Sequence, residues 1–320
     1  MNKYKKTQSL KIIIARYGIW LALLALIIIL SIASPVFFTV KNFLNVFRQI
    51  SITSVLAIGV TFVILTGGID LSLGSIVAIA GVSAASFAHP GKFPLIVSIS
   101  AGIGIGIVFG LFIGVLVSKG KVASFIVTLG VTTIARGMAL LIAKGRPVSN
   151  LAENFNFIGN GTVLFVPIPI IIAIVVLLLS AFLLNKTKFG RYVYAIGGNI
   201  DAAYASGINV DSILLLVYVI CSGCAGLAGV MQAARIQVGQ PSIGSGYELT
   251  AIAAVVIGGT SLAGGIGTIY GTIVGSLIMG FISNGLDLLN VSSYYQQIIQ
   301  GLIIIGAVLL DVTTKGNRQA

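Results

Sequence analysis

Charge is what this sequence has least of. Of its 320 residues, 19 are basic and 7 acidic, 8% of the chain together, against 57% hydrophobic. A soluble domain of 33.1 kDa needs far more charged side chains on its surface, and a mean hydropathy of +1.11 excludes that class. Histidine occurs once, at His89, in front of Pro90 in a short turn. Neither a histidine metal site nor a Ser-His-Asp triad can be assembled around it, and a solvated turn residue is the plainer reading. The two cysteines, Cys221 and Cys224, form a C-x-x-C within "VYVICSGCAGLAGV". In a span so rich in small residues, helix packing accounts for them better than redox or metal chemistry. The phosphate-cradling pattern G-x-x-x-x-G-K-[ST] is missing, because "VSKGKV" lacks both the glycine spacing and a hydroxyl after its lysine. No metal or cofactor is therefore expected on this chain. If it moves something uphill with ATP, the nucleotide and its Mg must sit on another chain.

What the chain does have is apolar runs. Runs of about 20 residues can cross a bilayer, and they fall near 17–34, 46–66, 71–88, 94–117, 122–143, 167–184, 212–234, 249–262, 266–284 and 294–311. The expected fold is all-α, a polytopic integral membrane protein of about ten transmembrane helices forming a single permease-like domain over residues 1–320. The run 249–262 is too short to cross as a regular helix. Forty glycines suit the same reading, since small residues let membrane helices approach closely and let helices break where a cavity forms.

The net charge of +12 makes no basic stripe on a polar domain, so nucleic acid is not the expected partner. The basic residues lie in the gaps between apolar runs, as topology signals do. With the N-terminus inside, Lys3, Lys5, Lys6, Lys11, Arg16, Lys119, Lys121, Lys186, Lys188, Arg191, Lys315 and Arg318 are cytoplasmic. Lys41, Arg48, Lys92, Lys144, Arg146 and Arg235 are then external, and Arg136 is left within a span. Twelve against six favours a multi-pass protein of the cell membrane with both termini cytoplasmic. The basic start, the apolar stretch and Ser31, Ala33 and Ser34 could also make a signal peptide. Pro35 and the length of the run favour an uncleaved first span.

Two stretches share a pattern. "AIGVTFVILTGGIDLSLGSI" (57–76) and "AIAAVVIGGTSLAGGIGTIYGTIVGSL" (251–277) each give an apolar lead-in, a Gly-Gly break, a small polar cluster and a renewed helix. This is a weak internal repeat, with both lead-ins running inward. Paired glycine-interrupted spans are where transporters place substrate paths; the alternative is glycines used only for close packing. Asp70 reads as the N-cap of a helix beginning Leu71-Ser72-Leu73. The same break offers free amides, Thr66, Ser72 and Ser75 to a polyhydroxylated solute, and an ionisable group within a membrane span marks a functional site by default. The candidate translocation path is thus Thr66, Gly67, Gly68, Asp70, Ser72, Ser75, Gly258 and Gly259.

The largest cytoplasmic gap, about 185–211, holds "NKTKFGRYVYAIGGNIDAAYASGINVD". Asn199 can cap a short helix with Asp201 in its first turn, Gly207 can stop it, and Ile200, Ala203 and Tyr204 fall along one side. So short a helix needs something to dock on, either its own bundle or a partner.

"TGGIDLSLGS", "FGRYVYAIGGNIDAAYASGINV", "GYELTAIAAVVIGGTSLAGGIGT" and "NGLDLLNVSSYYQQIIQG" together resemble the membrane permease subunit of ribose-type ABC importers, a likeness running from about Ser34 to Asp311. The resemblance implies a homodimer of permeases, a cytoplasmic ABC ATPase and an extracytoplasmic sugar-binding protein, with this chain doing no bond chemistry. It makes Gly190, Arg191, Gly198, Asn199, Asp201, Ala202, Ala203 and Gly207 the loop that docks on the ATPase. Branched-chain amino-acid permeases resemble this loop too, so the loop speaks for an ABC importer and Gly67–Ser72 for sugar. Lys144, Arg146, Glu153, Tyr247 and Glu248 are candidates for facing the sugar-binding protein. The alternative is a secondary transporter or facilitator working alone, with Asp70 as its proton or ion site.

Overall fold

The computed structural model describes residues 2–319, and side-chain surroundings over 18–309. The terminal charges Lys3, Lys5, Lys6, Lys11, Arg16, Lys315 and Arg318 lie outside that second range. The chain runs α1 (Asn2–Ala33), α2 (Val40–Leu65), α3 (Leu73–Phe87), α4 (Leu95–Ser118), α5 (Ser124–Ile142) and α6 (Glu153–Asn160). A hairpin of β1 (Thr162–Val163) and β2 (Val166–Pro167) follows, pairing Thr162 with Pro167 and Val163 with Val166. Then come α7 (Ile168–Lys186), α8 (Lys188–Gly198), α9 (Ile200–Ala205), α10 (Val210–Ile236), α11 (Tyr247–Ile257), α12 (Ile269–Leu288) and α13 (Ser293–Gln319).

Six helices, α2, α4, α5, α7, α10 and α12, are long and apolar enough to cross a membrane. Four further apolar stretches are Gly18–Ala33, the described part of the 32-residue α1, Ser293–Leu309, the described part of the 27-residue α13, and the shorter helices α3 and α11. Of the sequence expectation of about ten crossings, six meet the length criterion among the described residues. α3 and α11 are short because each begins only after an unwound segment, 66–72 and 237–246.

α2 is the central post. Thr39 caps it by accepting from the Asn42 amide, and nearly every residue from Ile50 to Leu65 is buried. α10 packs on α2, α3 and α4. Its approach to α4 follows a glycine stripe, Gly102, Gly106, Gly110 and Gly114, at every fourth position. A Cβ on Gly106 would strike the Ser222 carbonyl and one on Gly110 the Tyr218 carbonyl, so small residues set the helix spacing here. On the α2 side, Gly59 lies against Cys224 and the Cys221 backbone. Both cysteines are free thiols used in packing.

Arg136, the charge stranded within a span, has an explanation in the fold. Its Nη1 donates to the carbonyls of Pro241 and Ile243, 2.7 Å each, in the unwound segment 237–246 between α10 and α11. His89 is half-buried, its Nδ1 3.1 Å from the Asn150 carbonyl.

Candidate functional site

The two Gly-Gly breaks are the same turn built twice. At the end of α2, Gly67 takes φ +80°, its amide bonds the Ile64 carbonyl and the Gly68 amide bonds Val63. At the end of α11, Gly259 takes φ +86°, its amide bonds Val256 and the Thr260 amide bonds Val255. Both are Schellman ends with a left-handed glycine, which frees a helix of its last carbonyls without exposing them.

The segment after the first turn is held open by side chains of α5. Ser124 Oγ accepts from the Ile69 amide at 3.2 Å, and Thr132 Oγ1 donates to the Leu71 carbonyl at 2.9 Å. Unwound backbone inside a membrane bundle needs such partners. Asp70 is fully buried. Its Oδ1 accepts from the Ser72 amide (2.9 Å) and hydroxyl (2.6 Å), and the Cys221 thiol of α10 lies against the same carboxylate. This corrects the expected N-cap: α3 begins at Leu73, Ser72 occupies the cap position, and Asp70 makes a tight Asx turn just ahead of it. Gly68 sits under the Tyr218 hydroxyl, where a Cβ would collide. Ser75 is buried in the first turn of α3, and Thr66 and Gly67 are at the rim.

The two breaks touch. The Gly265 amide donates to the Leu65 carbonyl at 2.9 Å. On them lies α8: a Cβ on Gly197 would strike the Leu65 carbonyl and the Gly265 amide, and Tyr194 donates to the Gly267 carbonyl at 2.9 Å. Gly258 packs on Gly271 of α12.

The elbow of α8 and α9 is built as its sequence suggests. Thr187 caps α8 by accepting from Gly190, Asn199 caps α9 by accepting from Ala202 at 2.9 Å, and Gly207 ends α9 at φ +75°. Of the side expected to face a partner, Ile200 and Tyr204 are exposed, but Ala203 is buried at 3%. Ala203 packs inward because α9 needs an apolar anchor on its own bundle, so the outer surface belongs to Arg191, Asp201, Ala202, Gly198 and their neighbours. Tyr204 donates to Asp211, and Lys121 reaches both, its ammonium held protonated more firmly by the Asp211 hydrogen bond. Gly190 is buried against the Leu183 and Leu184 carbonyls.

At the far end of α10, about 40 Å from the elbow by helix rise, lie Lys144, Arg146 and Glu153, all exposed. The strand-like pairing of Val148 with Gly239 ties their loop to that end. Tyr247 and Glu248 are elsewhere. They line a cavity of about 640 Å³ toward the same end, walled by α2 (Gln49, Thr53), α10 (Gln232, Arg235), α12 and α13 (Gln296, Gln297, Gln300). Glu248 Oε1 accepts from Gly246, and its other oxygen lies against Gly74. The eight path candidates from the two breaks line no part of this cavity. Sequence reading missed it, though Gln232 inside an apolar span and Gln296, Gln297 and Gln300 on one stretch of α13 were visible signs.

Residues 42–308 match the family described as branched-chain amino acid transport system / permease component. The chain is 47% identical over 295 residues to the ribose import permease protein RbsC of Escherichia coli K12, covering 91% of this chain and 92% of that one. It is 45% identical to RbsC of Bacillus subtilis 168, with 93% of each chain covered. The D-allose transport system permease protein AlsC of Escherichia coli K12 is 39% identical, with 92% of this chain and 91% of AlsC covered. No solved structure gives a significant match.

Proposed function

This chain belongs to the branched-chain amino acid transport system / permease component family, and from that premise we propose that it is the membrane permease of an ABC importer that carries ribose by alternating access. The observation that supports this most is identity of 45–47% to ribose import permeases along more than nine-tenths of the chain. Such a permease breaks no bonds and binds no nucleotide. Its work is to open toward one side of the membrane at a time.

In this reading two copies pair in the membrane, with ten crossings each made from the six long helices together with α1, α3, α11 and α13, and both termini cytoplasmic. The ATPase docks on the α8–α9 elbow through Gly190, Arg191, Gly198, Asn199, Asp201, Ala202 and Gly207, Ala203 serving as the anchor beneath. A sugar-binding protein docks at the other end, around Lys144, Arg146 and Glu153. ATP-driven movement of the elbow passes to α2 and α11 because α8 rests on both glycine breaks. Thr66, Gly67, Gly68, Asp70, Ser72, Ser75, Gly258 and Gly259 then form the inner end of the path, shut in the present conformation, with Asp70 and Ser72 wholly buried.

The test is uptake of labelled ribose by proteoliposomes containing the permease, its ATPase and the binding protein. Uptake is expected to require all three and ATP. Concentrative uptake by this chain alone, driven by a proton gradient and abolished by a protonophore, would instead establish the stand-alone transporter with Asp70 as its proton site.

A further inference from the structure

The cavity between α2, α10 and α13 has no part in the elbow or the breaks. We propose that it is a binding site for a neutral polyhydroxylated monosaccharide in transit, held by the carboxamides of Gln49, Gln232, Gln297 and Gln300; the proposal rests on the sugar-permease reading.

The chemistry of the wall carries the argument. Gln232 is only 5% exposed, on a helix whose neighbours there are Val230, Met231, Ala233 and Ala234. Its side chain has no hydrogen-bond partner among the described residues, and neither do those of Gln49, Gln297 and Gln300, although all four line the cavity. Gln296, their neighbour, is already committed to Asp287. Gln232 is buried, and a buried amide without a partner is costly; Gln300, half-buried, and Gln49 and Gln297, exposed, bring three more carboxamides from α2 and α13 to the same space. Each carboxamide offers two donors and an acceptor oxygen, which suits hydroxyl groups that both give and accept. A charged ligand calls for an excess of one sign, but Arg235 and Glu248 border the cavity with one charge of each. Tyr247 adds an aromatic wall.

Size and position agree. About 640 Å³ lies within the roughly 300–1,000 Å³ of small-molecule sites. The cavity is at the end of α10 remote from the elbow, where a solute handed over by a receptor would enter. A few amide hydrogen bonds bind weakly, as a path requires if the solute is to leave again.

The experiment uses the complete importer in proteoliposomes with labelled ribose. Gln232→Leu and Gln300→Leu should each lower uptake about three- to tenfold, the worth of one hydrogen bond. Gln232→Asn, which keeps the carboxamide, should recover part of the loss. In a second arm, Gln297→Cys is made together with Cys221→Ala and Cys224→Ala, and the introduced thiol is labelled with a methanethiosulfonate reagent. Ribose should slow that labelling severalfold, and glutamate at the same concentration should not. If the leucine variants carry ribose at the wild-type rate, or if ribose leaves the labelling unchanged, the cavity is a water-filled recess and the proposal falls while the permease reading stands. A wild-type importer that moves no sugar would remove the permease reading itself. Should a leucine variant fail to accumulate, the labelling arm decides alone.

Discussion

The glycine turn that ends α2 and the one that ends α11 have the same backbone, but they are filled differently. After Gly67 the chain is pinned by Asp70, by Ser124 and Thr132 of α5 and by Tyr218 above Gly68. After Gly259 the chain closes mainly on itself, with the Ser261 amide bonding Ile266, Gly264 bonding Ser261 and Ala263 bonding the Ser261 hydroxyl, before Thr268 caps α12. The first break is thus anchored to a neighbouring helix by side-chain hydrogen bonds, while the backbone bonds of the second run largely within the loop, which also meets Leu65 and α8. The turn is common to both breaks, and each is supported differently. An element that must move is expected to hold few contacts beyond itself, which points to the second break as the one that shifts when the elbow moves.

The largest effect should come from the place where the two breaks are compared directly, under α8. Gly197→Ala puts a methyl group into the Leu65 carbonyl and the Gly265 amide, so α8 must lift off both turns. Overpacking of this kind costs about 1–3 kcal/mol, and against backbone rather than a yielding side chain the upper end is expected. Gly198→Ala, one residue on, meets nothing within 4 Å and is the control. We expect a lower melting temperature for the first, with uncoupled ATP hydrolysis, and a near wild-type melting temperature for the second, which serves as a control for stability only because Gly198 lies on the docking surface; the readouts are thermal denaturation in detergent and uptake per ATP. Equal behaviour of the pair would mean that α8 does not rest on the breaks.

The next contrast is polar. Asp70→Ala strips two hydrogen bonds from Ser72 in a fully buried setting, a loss of about 1–3 kcal/mol. Asp70→Asn keeps an oxygen where Oδ1 accepts and should be far milder. Thr268→Ala removes the cap that accepts from the Gly271 amide at 3.0 Å after the second break and should cost about 1 kcal/mol. Thermal stability ordered Ala at 70 below Ala at 268 supports an anchored first break. If Asp70→Asn and Asp70→Ala lose transport equally while both remain well folded, the charge itself is what matters.

How far the sequence could be read follows from how local each signal is. The two Gly-Gly turns, the Asn199 cap and the Gly207 stop are written within a few residues, so their backbone could be read before the fold was known. Arg136 and Asp70 could be recognised as anomalies but not placed, because their partners, the carbonyls of 241 and 243 and the α3 start two residues later than expected, depend on where an unwound segment falls. The inward turn of Ala203 was lost for a related reason: a six-residue helix presents almost no periodicity. The cavity was least legible. Its glutamines are spread from residue 49 to residue 300, and only packing of α2, α10 and α13 brings them together.

The smallest and sharpest test asks whether the two turns are truly equivalent. Gly67→Ala and Gly259→Ala each force a Cβ into the left-handed region, at about 1–2 kcal/mol. Space does not distinguish them much, since the added Cβ at Gly67 finds the Ala263 carbonyl at an ordinary 3.7 Å and the one at Gly259 finds nothing within 4 Å. Strain alone should therefore set both costs, and the two variants should lose the same few degrees of melting temperature. Transport should part them. A stiffened turn at 259 slows a loop that shifts in every cycle, whereas the same stiffening at 67 acts on a segment held still by α5. The expected result is equal stability with lower uptake for Gly259→Ala. Equal uptake would make both breaks static hinge posts, and lower uptake for Gly67→Ala would reverse their assigned roles.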